Sequence, residues 1–370
     1  MIVRGLLSRG CEVNMSLGSD GPWRERISAD CPVDVVPHKN WLRRQQVWRF
    51  FKDLFAEHRS AGGFEKVFAQ NRPDLVYLNS LVCYAPAVAA RRLGIPVIWH
   101  IRELFSDVGG EMTWPNWIPK QVVRRRIVSL ADRLIVNSEA VRCNVFGEEG
   151  VPRPVVIPNG VGEVFFRNTC EKSEAREGFG LPLDQPVVGV PATFRPMKGH
   201  EFFVRSVPKV LERVPHCTFA FTGAIDSPFA RSLQEQIQAQ PFSDRIVFTG
   251  VIQDMPQFYR ACDVCCVPSS SEPFGRTAIE CMASGVPLVA SAVGGLKEIV
   301  QHEQNGLLVE YGDVCSLADS VVLLLMDSLV RERLVSRALQ DAVENYSASV
   351  YTDRVIGVIN DVLRPHSKSV

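Results

Sequence analysis

Short apolar runs alternate with helix-like segments along the whole chain, and this alternation constrains the fold more than any other feature. Strands of a parallel sheet are covered on both faces, so their sequences are continuous apolar runs. The predicted strands are Leu75–Leu78, Val97–His100, Leu134–Val136, Val155–Ile157, Val187–Val190, Thr218–Phe221, Ile246–Phe248, Val264–Val267, Leu288–Ala290 and Leu307–Val309. The predicted helices are Glu201–Val214, Phe229–Gln240, Met255–Ala261, Ala278–Ala283, Ser316–Met326 and Ser349–Leu363. This pattern predicts an α/β fold of two doubly wound domains with a cleft between them.

A turn signal near the middle of the chain and the start of the chain indicate the domain organisation. Pro158–Gly160, followed by a polar stretch, predicts a junction. We therefore expect an N-terminal domain over residues 1–165, a second domain over 166–345, and a C-terminal helix and tail over 346–370 that could pack across both. Leu6–Gly10 resembles the end of a helix that stops at Gly10, and Cys11–Val13 then begins a strand. The usual first strand and its Gly-rich turn are not seen, and we prefer a truncated or misassigned start as the explanation.

Composition excludes several classes of protein. The 370 residues are 46% hydrophobic, which is enough apolar surface to rule out a long disordered chain. Lys and Arg together number 41, as do Asp and Glu, so no basic excess points to nucleic acid. No apolar run approaches the roughly 20 residues that span a bilayer. The 11 scattered cysteines fit a reduced protein, so we expect it in the cytoplasm or on the inner face of the cell membrane.

The stretch Pro268–Glu280 is the most specific candidate site. The strand Val264–Val267 runs into a polar loop, and a helix starts a few residues later. The free N–H groups and the dipole of a helix N-terminus bind phosphate. Glu272 and Glu280 flank this point, and a carboxylate accepts hydrogen bonds from neighbouring hydroxyls. These features suit a ligand that carries a sugar, a diphosphate and a ribose.

Two further loops follow predicted strands and add groups that bind anions. The loop after Val187–Val190 carries Arg195 and Lys198, and both side chains can reach a diphosphate. A later loop contains Gly294 and Gly295, which let backbone amides approach an anion closely. Ligands of open α/β sheets gather at the carboxyl ends of the strands, so these loops are expected to lie together.

The chain resembles glycosyltransferase family four, which is of the GT-B type with two Rossmann-like domains. The resemblance covers nearly the whole chain and rests above all on Glu272 and Glu280 in the pattern Glu-Pro-Phe-Gly-x4-Glu. The supporting motifs are Arg195-x-x-Lys198-Gly199, Ile157–Val161, Asn137–Glu139 and Trp99–Glu103. Any one of these motifs alone is weak, but together they are specific.

The resemblance implies a role for each matching residue. Arg195 and Lys198 would bind the donor diphosphate, and Glu280 would hold the ribose hydroxyls. Glu272 and His100 would face the donor sugar. Donor contacts are also implied for the amides of Phe274, Gly275, Arg276 and Thr277, and for Gly250 and Val251 beside the base. Gly294 and Gly295 are expected to bind the donor as well, on the separate ground that their loop links a strand to a helix.

The implied reaction moves a sugar from a nucleoside-diphosphate sugar to an acceptor hydroxyl, in the synthesis of a surface polysaccharide or glycolipid. The resemblance implies retention of configuration, attack on the same face as the leaving group, and a glycan or lipid-linked acceptor. No metal or other cofactor is expected, because no Asp-x-Asp motif occurs and Arg195, Lys198 and helix N-termini can stabilise the leaving group.

Three other functions stay open at this point. The first is a truncated, non-catalytic protein that binds nucleotide sugars. The second is a sugar-nucleotide epimerase of the same architecture, which the Glu-Pro-Phe-Gly-x4-Glu stretch disfavours. The third, an NAD-dependent enzyme, is weaker again because no Gly-x-Gly-x-x-Gly with a later acidic residue follows a strand.

Several residues have a structural explanation beside the functional one. A lone histidine such as His100 is a weak signal and is often a satisfied core residue. Cys262, Cys265 and Cys266 suggest a metal, but no second pair or nearby histidine completes a site, so core packing is favoured. Trp41–Lys52 mixes aromatic and basic residues at helical spacing, and it suits either an anionic membrane surface or an exposed helix face.

Overall fold

Parallel strands joined by helices make up both halves of the chain, as the alternation of apolar runs predicts. The structure is a computed structural model that describes residues 1–38, 47–105, 118–147, 153–167 and 170–364. The chain forms two compact units: Met1–Asn159 together with Ala348–Val370, and Gly160–Ser347. The chain thus enters the second unit at Gly160 and returns to the first at Ala348, and both crossings lie near the sequence-derived boundaries.

The first unit contains the elements from the N-terminus to Asn159. Its helices are α1 Ile2–Leu7, α2 Pro22–Ser28, α3 Val47–Asn71, α4 Tyr84–Arg92, α5 Lys120–Leu130 and α6 Glu139–Phe146. Its strands are β1 Met15–Leu17, β2 Val33–Val35, β3 Val76–Leu78, β4 Val97–Ile101, β5 Arg133–Val136 and β6 Val155–Val156. Helix α1 ends before Gly10, whose φ of 81° is left-handed, as expected of a helix stop. The strand predicted to begin at Cys11 begins instead at Met15, so that prediction is wrong.

The described strands of the first unit form two separate parallel sheets. Strands β3, β4, β5 and β6 lie side by side in that order, whereas β1 pairs only with β2. A cavity of about 610 Å³ is lined by residues of both β1 and β3, together with Phe64 and Phe68 of α3. The sheet of this unit is therefore interrupted between β1 and β3.

The four-stranded sheet is covered on both of its faces, because alternate residues of each strand point to opposite sides. Trp99 and Ile101 of β4 pack in the cluster that includes α3 to α6. Ile98 of the same strand packs against Tyr351 and Val355. These two residues belong to the last helix, Ala348–Leu363, which follows the second unit in sequence.

The second unit holds one continuous parallel sheet. Its strands are β7 Val187–Val190, β8 Thr218–Thr222, β9 Ile246–Gly250, β10 Val264–Val267, β11 Leu288–Ser291 and β12 Leu307–Val309. Its helices are α7 Lys172–Gly178, α8 His200–Arg213, α9 Pro228–Gln238, α10 Met255–Ala261, α11 Arg276–Ala283, α12 Leu296–Ile299, α13 Val314–Met326 and α14 Ser328–Tyr346; the last helix of the chain is α15. Each of its strands lies within two residues of its predicted position.

The order of these strands is β12-β11-β10-β7-β8-β9, which is the doubly wound order. The connections from β7 lead to one side of the sheet, and those from β10 lead to the other. The loops that follow β7 and β10 therefore diverge, and they leave a crevice at the carboxyl edge where ligands of such sheets bind. This edge carries most of the residues that the sequence singles out.

Candidate active site

An ion pair between Lys198 and Glu272 lies at the point where the strand order reverses. Lys198 ends a short turn, Pro196–Lys198, in the loop after β7, while Glu272 lies in the loop after β10. Lys198 Nζ donates to Glu272 Oε2 at 2.7 Å, and Ser269 Oγ donates to the same oxygen at 3.3 Å. Glu272 is buried, at 9% exposure. The structure thus brings together two predicted residues that are 74 positions apart in the chain.

The two loops approach so closely that only glycine fits between them. Gly199 has a φ of 72°, and a Cβ placed there would lie 1.8 Å from the Pro268 carbonyl oxygen. Ser270 N donates to the Met197 carbonyl at 2.8 Å, which links the loops by their backbones. Because the backbone of each loop supports the other, Lys198 and Glu272 are held on a common frame.

The loop after β11 supports Glu272 from a third direction. Gly295 N donates to the Glu272 carbonyl at 3.0 Å. Gly294 has a φ of 46°, and a Cβ there would lie 2.1 Å from the same carbonyl oxygen. The predicted anion-binding role of these two glycines stays a prediction, since what the structure gives them is a role in close packing.

Helix α11 begins at the next positions of the Glu272 loop. Gly275, with a φ of 112°, turns the chain into the helix, and Phe274 before it is buried. Thr277 Oγ1 donates to the Pro191 carbonyl at 3.5 Å, which ties the first turn of α11 to the end of β7. The amides of this first turn therefore lie beside the crevice, where a helix N-terminus favours an anion.

Both carboxylate oxygens of Glu280 have a hydrogen-bond partner. Tyr259 Oη of helix α10 donates to Oε2 at 3.0 Å, and Arg276 Nε donates to Oε1 at 2.7 Å. Glu280 is 7% exposed, whereas the Arg276 side chain is 72% exposed. Tyr259 does not stand out in the sequence, because a tyrosine among apolar helix residues has the pattern of an ordinary core residue.

The remaining predicted residues of this unit lie on or near the same edge. Arg195 is exposed in the loop that carries Lys198. Gly250 ends β9, two strands away from β7, and its φ is 73°. Val251 follows it and is 66% exposed, an unusual position for an apolar side chain. The exposed Val251 side chain could pack against a flat ring, and the expected base site beside it stays a prediction.

Comparison with known proteins identifies the family. Residues 185–327 match the family described as "Glycosyl transferases group 1", and residues 1–160 match the family described as "Glycosyl transferase 4-like domain". The chain belongs to the group 1 glycosyltransferases. The expected recognition is thereby confirmed, and the two matches fall on the two units of the structure.

Curated group 1 glycosyltransferases are similar over much of the chain. A D-inositol 3-phosphate glycosyltransferase from Acidothermus cellulolyticus is 31% identical over 292 residues, which is 75% of this chain and 64% of the relative. The lipopolysaccharide core mannosyltransferase LpsB from Rhizobium meliloti is 28% identical, over 58% of this chain and 62% of the relative. The matched region is thus less than two thirds of the length of these relatives.

Solved structures show the GT-B fold. A structure of Anabaena HepE in complex with UDP and glucose superposes with a TM-score of 0.80 and 22% identity, over 97% of this chain and 94% of that one. A glycosyltransferase from Rickettsia africae gives a TM-score of 0.83 with 17% identity, over 98% and 93% of the two chains. The predicted fold class is confirmed by these likenesses.

His100 lies in the first unit of this group 1 glycosyltransferase and is fully buried. Its Nδ1 is 2.6 Å from Tyr77 Oη. Burial, and then the positive charge of Arg102, hold the pKa of His100 well below its usual value, so the ring is neutral. Arg102 in turn donates to Tyr351 Oη at 2.6 Å. The ring does not reach the surface in this structure, and its predicted contact with a donor sugar stays a prediction.

The cysteines singled out by sequence lie in the core of the second unit. Cys262, Cys265 and Cys266 are buried, and this burial raises the pKa of each thiol well above its usual value. Such thiols stay protonated and pack as small apolar groups. Across the described ranges, no cluster of three or more His, Cys, Asp or Glu side chains is placed to hold a metal ion.

The membrane-binding interpretation rests on a segment of which half lies outside the described residues. Of the segment Trp41–Lys52, residues 41–46 are not described, and α3 begins at Val47. Within the described part of the chain, the helices are all too short or too polar to span a bilayer.

Proposed function

We propose that this group 1 glycosyltransferase moves a sugar from a nucleoside-diphosphate sugar to an acceptor hydroxyl, in the synthesis of a surface polysaccharide or glycolipid. The observation that carries the proposal is the Lys198–Glu272 ion pair at the strand-order reversal, beside Glu280 and the first turn of α11. This edge presents a cation for phosphate, a carboxylate for hydroxyls and helix amides for an anion within one unit.

In the proposed reaction the bond between the anomeric carbon and the β-phosphate oxygen breaks, and the nucleoside diphosphate leaves. Lys198, Arg195 and the α11 amides stabilise the charge that develops on the diphosphate. The acceptor oxygen attacks the same face, so configuration is retained, and its proton passes to the departing phosphate. Glu272 binds hydroxyls of the sugar, and Glu280 binds those of the ribose.

We further propose that the reaction needs no metal ion and no other cofactor, because the two cationic side chains supply the charge that a metal would. UDP-glucose is the first donor to try, since HepE was solved with UDP and glucose. Hydroxyl-rich acceptors are suggested by the inositol phosphate and lipopolysaccharide named for the curated relatives.

The test measures nucleoside diphosphate released from UDP-glucose, UDP-N-acetylglucosamine and GDP-mannose, with myo-inositol phosphate or a lipopolysaccharide core as acceptor. Each reaction is run with and without EDTA, and the anomer formed is assigned by NMR. We expect acceptor-dependent release that EDTA does not change and that Lys198→Met lowers by about 10²–10³-fold. Lys209→Met, at an exposed position of α8, is the control and should be fully active. Equal activity of the two variants would remove the assignment of the site.

A non-catalytic nucleotide-sugar binder is the second candidate, and the interrupted sheet of the first unit favours it. Isothermal titration with UDP and GDP separates the two functions. Binding without turnover of any donor would support the second candidate, whereas turnover would exclude it.

Contact with a membrane is part of the proposal only as the way to a lipid-linked acceptor. Its sequence basis is the aromatic and basic segment Trp41–Lys52. Flotation with vesicles that contain anionic lipid tests it, and protein that stays at the bottom of the gradient would remove the idea.

A further inference from the structure

The hydroxyl of Tyr259 is a polar group on a residue of the hydrophobic core. Tyr259 is completely buried, and its ring packs near those of Phe165 and Phe258, with centroids 6.0 and 6.2 Å away. A buried hydroxyl needs a partner, and this one donates to Glu280 Oε2 at 3.0 Å. The bond joins the core of the unit to a residue at its ligand-binding edge.

Glu280 is therefore held in two different ways on its two sides. From the core side it accepts a bond from a neutral, buried hydroxyl. From the solvent side it accepts a bond from Arg276, whose side chain is 72% exposed and one helical turn away. Because the Arg276 end of this pair lies in solvent, its guanidinium can exchange with water or a ligand, whereas the hydrogen bond from the buried Tyr259 hydroxyl is shielded from water.

The protonation of Tyr259 makes its donor role permanent. Burial, reinforced by the negative charge of Glu280, raises the pKa of Tyr259 well above its usual value. The hydroxyl therefore keeps its proton wherever the protein is folded. It can only donate to the carboxylate, so it leaves the other lone pairs of Glu280 available as acceptors.

We propose that Tyr259 is a positioning residue: its hydroxyl fixes the Glu280 carboxylate in the orientation that accepts the 2′- and 3′-hydroxyls of the donor ribose. The inference rests on the proposed function, in which Glu280 binds that ribose. Arg276 covers the solvent-side oxygen in the unliganded protein and is displaced by the ribose. Tyr259 itself never touches the nucleotide.

The experiment compares the affinities of the full chain for UDP and for 2′-deoxy-UDP by isothermal titration, with GDP and 2′-deoxy-GDP as the second pair. The wild type is expected to prefer the ribonucleotide. Tyr259→Phe removes only the hydroxyl, and we expect it to reduce that preference about tenfold, the usual scale for one hydrogen bond to a charged group. A purely structural role would weaken both nucleotides equally and leave their ratio unchanged.

Tyr351→Phe is the matched control, because it removes an equally buried hydroxyl from the first unit, where the partner is Arg102. It should leave the ratio at the wild-type value. Glu280→Gln tests the site itself and should abolish the preference. If Tyr259→Phe keeps the full preference while Glu280→Gln loses it, the positioning role is overturned and the proposed function stands. If Glu280→Gln also keeps it, the ribose assignment of the proposed function fails.

Discussion

Both units are built on parallel sheets, but among the residues that the structure describes only the second unit has a continuous sheet at its strand-order reversal. In the second unit β7 lies directly beside β10, and the loops after them hold Lys198 and Glu272 at 2.7 Å. In the first unit a cavity of about 610 Å³ separates β1 from β3. Lys198 and Glu272, the residues at the centre of the proposed donor site, therefore lie within one unit, on loops that adjacent strands keep in register.

The largest effect is expected at the centre of that assembly. Lys198→Met should lower the rate of sugar transfer by about 10²–10³-fold, the usual loss when one group that stabilises the leaving charge is removed. Steady-state assays with the best donor measure it. An equal loss in Lys209→Met, at an exposed position of the helix α8 that follows the Lys198 turn, would show that the effect comes from the fold rather than from the site.

The next largest effect is expected at a motif that both units contain, an aspartate that precedes one strand and accepts a hydrogen bond from the backbone of the adjacent strand. Asp263 precedes β10 and accepts from Val187 N at 2.7 Å, just as Asp132 precedes β5 and accepts from Val97 N at 2.8 Å. Asp263 also pairs with the buried Arg176 at 2.6 Å. Asp263→Asn leaves that guanidinium uncompensated, so we expect it to lower the free energy of unfolding by about 3 kcal/mol.

Asp132→Asn is the matched variant, because its ion pair with Arg91 is exposed. We expect it to lower the free energy of unfolding by less than about 1 kcal/mol. Urea titrations of both variants measure the difference. Equal losses would mean that the backbone bond, rather than the buried cation, carries the stability of the motif.

The third effect depends on pH. Burial lowers the pKa of His200 to about 4, while the unfolded chain protonates near its usual value of about 6.5. As the pH falls from 7 to 5 the unfolded state takes up the proton first, so the free energy of unfolding falls by about 2 kcal/mol from this group. The His200 ring packs against Phe194 and Phe221, so phenylalanine can replace it there. His200→Phe should remove this part of the pH dependence of the free energy of unfolding. An unchanged slope in urea titrations at the two pH values would assign it to other groups, such as His100 in the first unit.

The smallest effect is expected at a glycine around which no neighbouring atom crowds an added side chain. An added Cβ at Gly62, within α3 of the first unit, meets no atom within 4 Å, unlike one at Gly199. Gly62→Ala should therefore raise the free energy of unfolding by about 0.5–1 kcal/mol. Gly63→Ala, where the added group would lie 3.0 Å from Val36 Cγ1, should gain less. Thermal unfolding of both variants measures the difference.

Strands were predictable where burial on both faces leaves a continuous apolar run. Val187–Val190, Val264–Val267 and Leu307–Val309 match the observed bounds at both ends. Strand β2, Val33–Val35, was missed because Asp34 interrupts its apolar run and none of its three residues is fully buried. Helix α14 was missed as well, because most of its residues are polar or charged and its buried face is narrow. That face includes Leu334, Ala338 and Ala342.

The site was predictable by residue type, but its contacts were not. A cation after one strand and a carboxylate after another indicate a phosphate and sugar site, since parallel strands end at one edge. The sequence does not show that Lys198 and Glu272 pair directly, because that depends on the close approach at Gly199. Tyr259 was missed for the same reason, since its contact with Glu280 spans 21 residues and two helices.

The Lys198–Glu272 ion pair at the strand-order reversal also affects which anions can bind at this edge. With its own carboxylate as the resting partner, Lys198 is already neutralised, so a small anion gains little by approaching it. Inorganic phosphate or sulfate would have to outcompete a tethered neighbour, whereas a nucleotide that is anchored elsewhere along the edge can share the ammonium group without displacing it first. On this basis, added salt or inorganic phosphate should interfere little with the binding of a larger ligand at this edge.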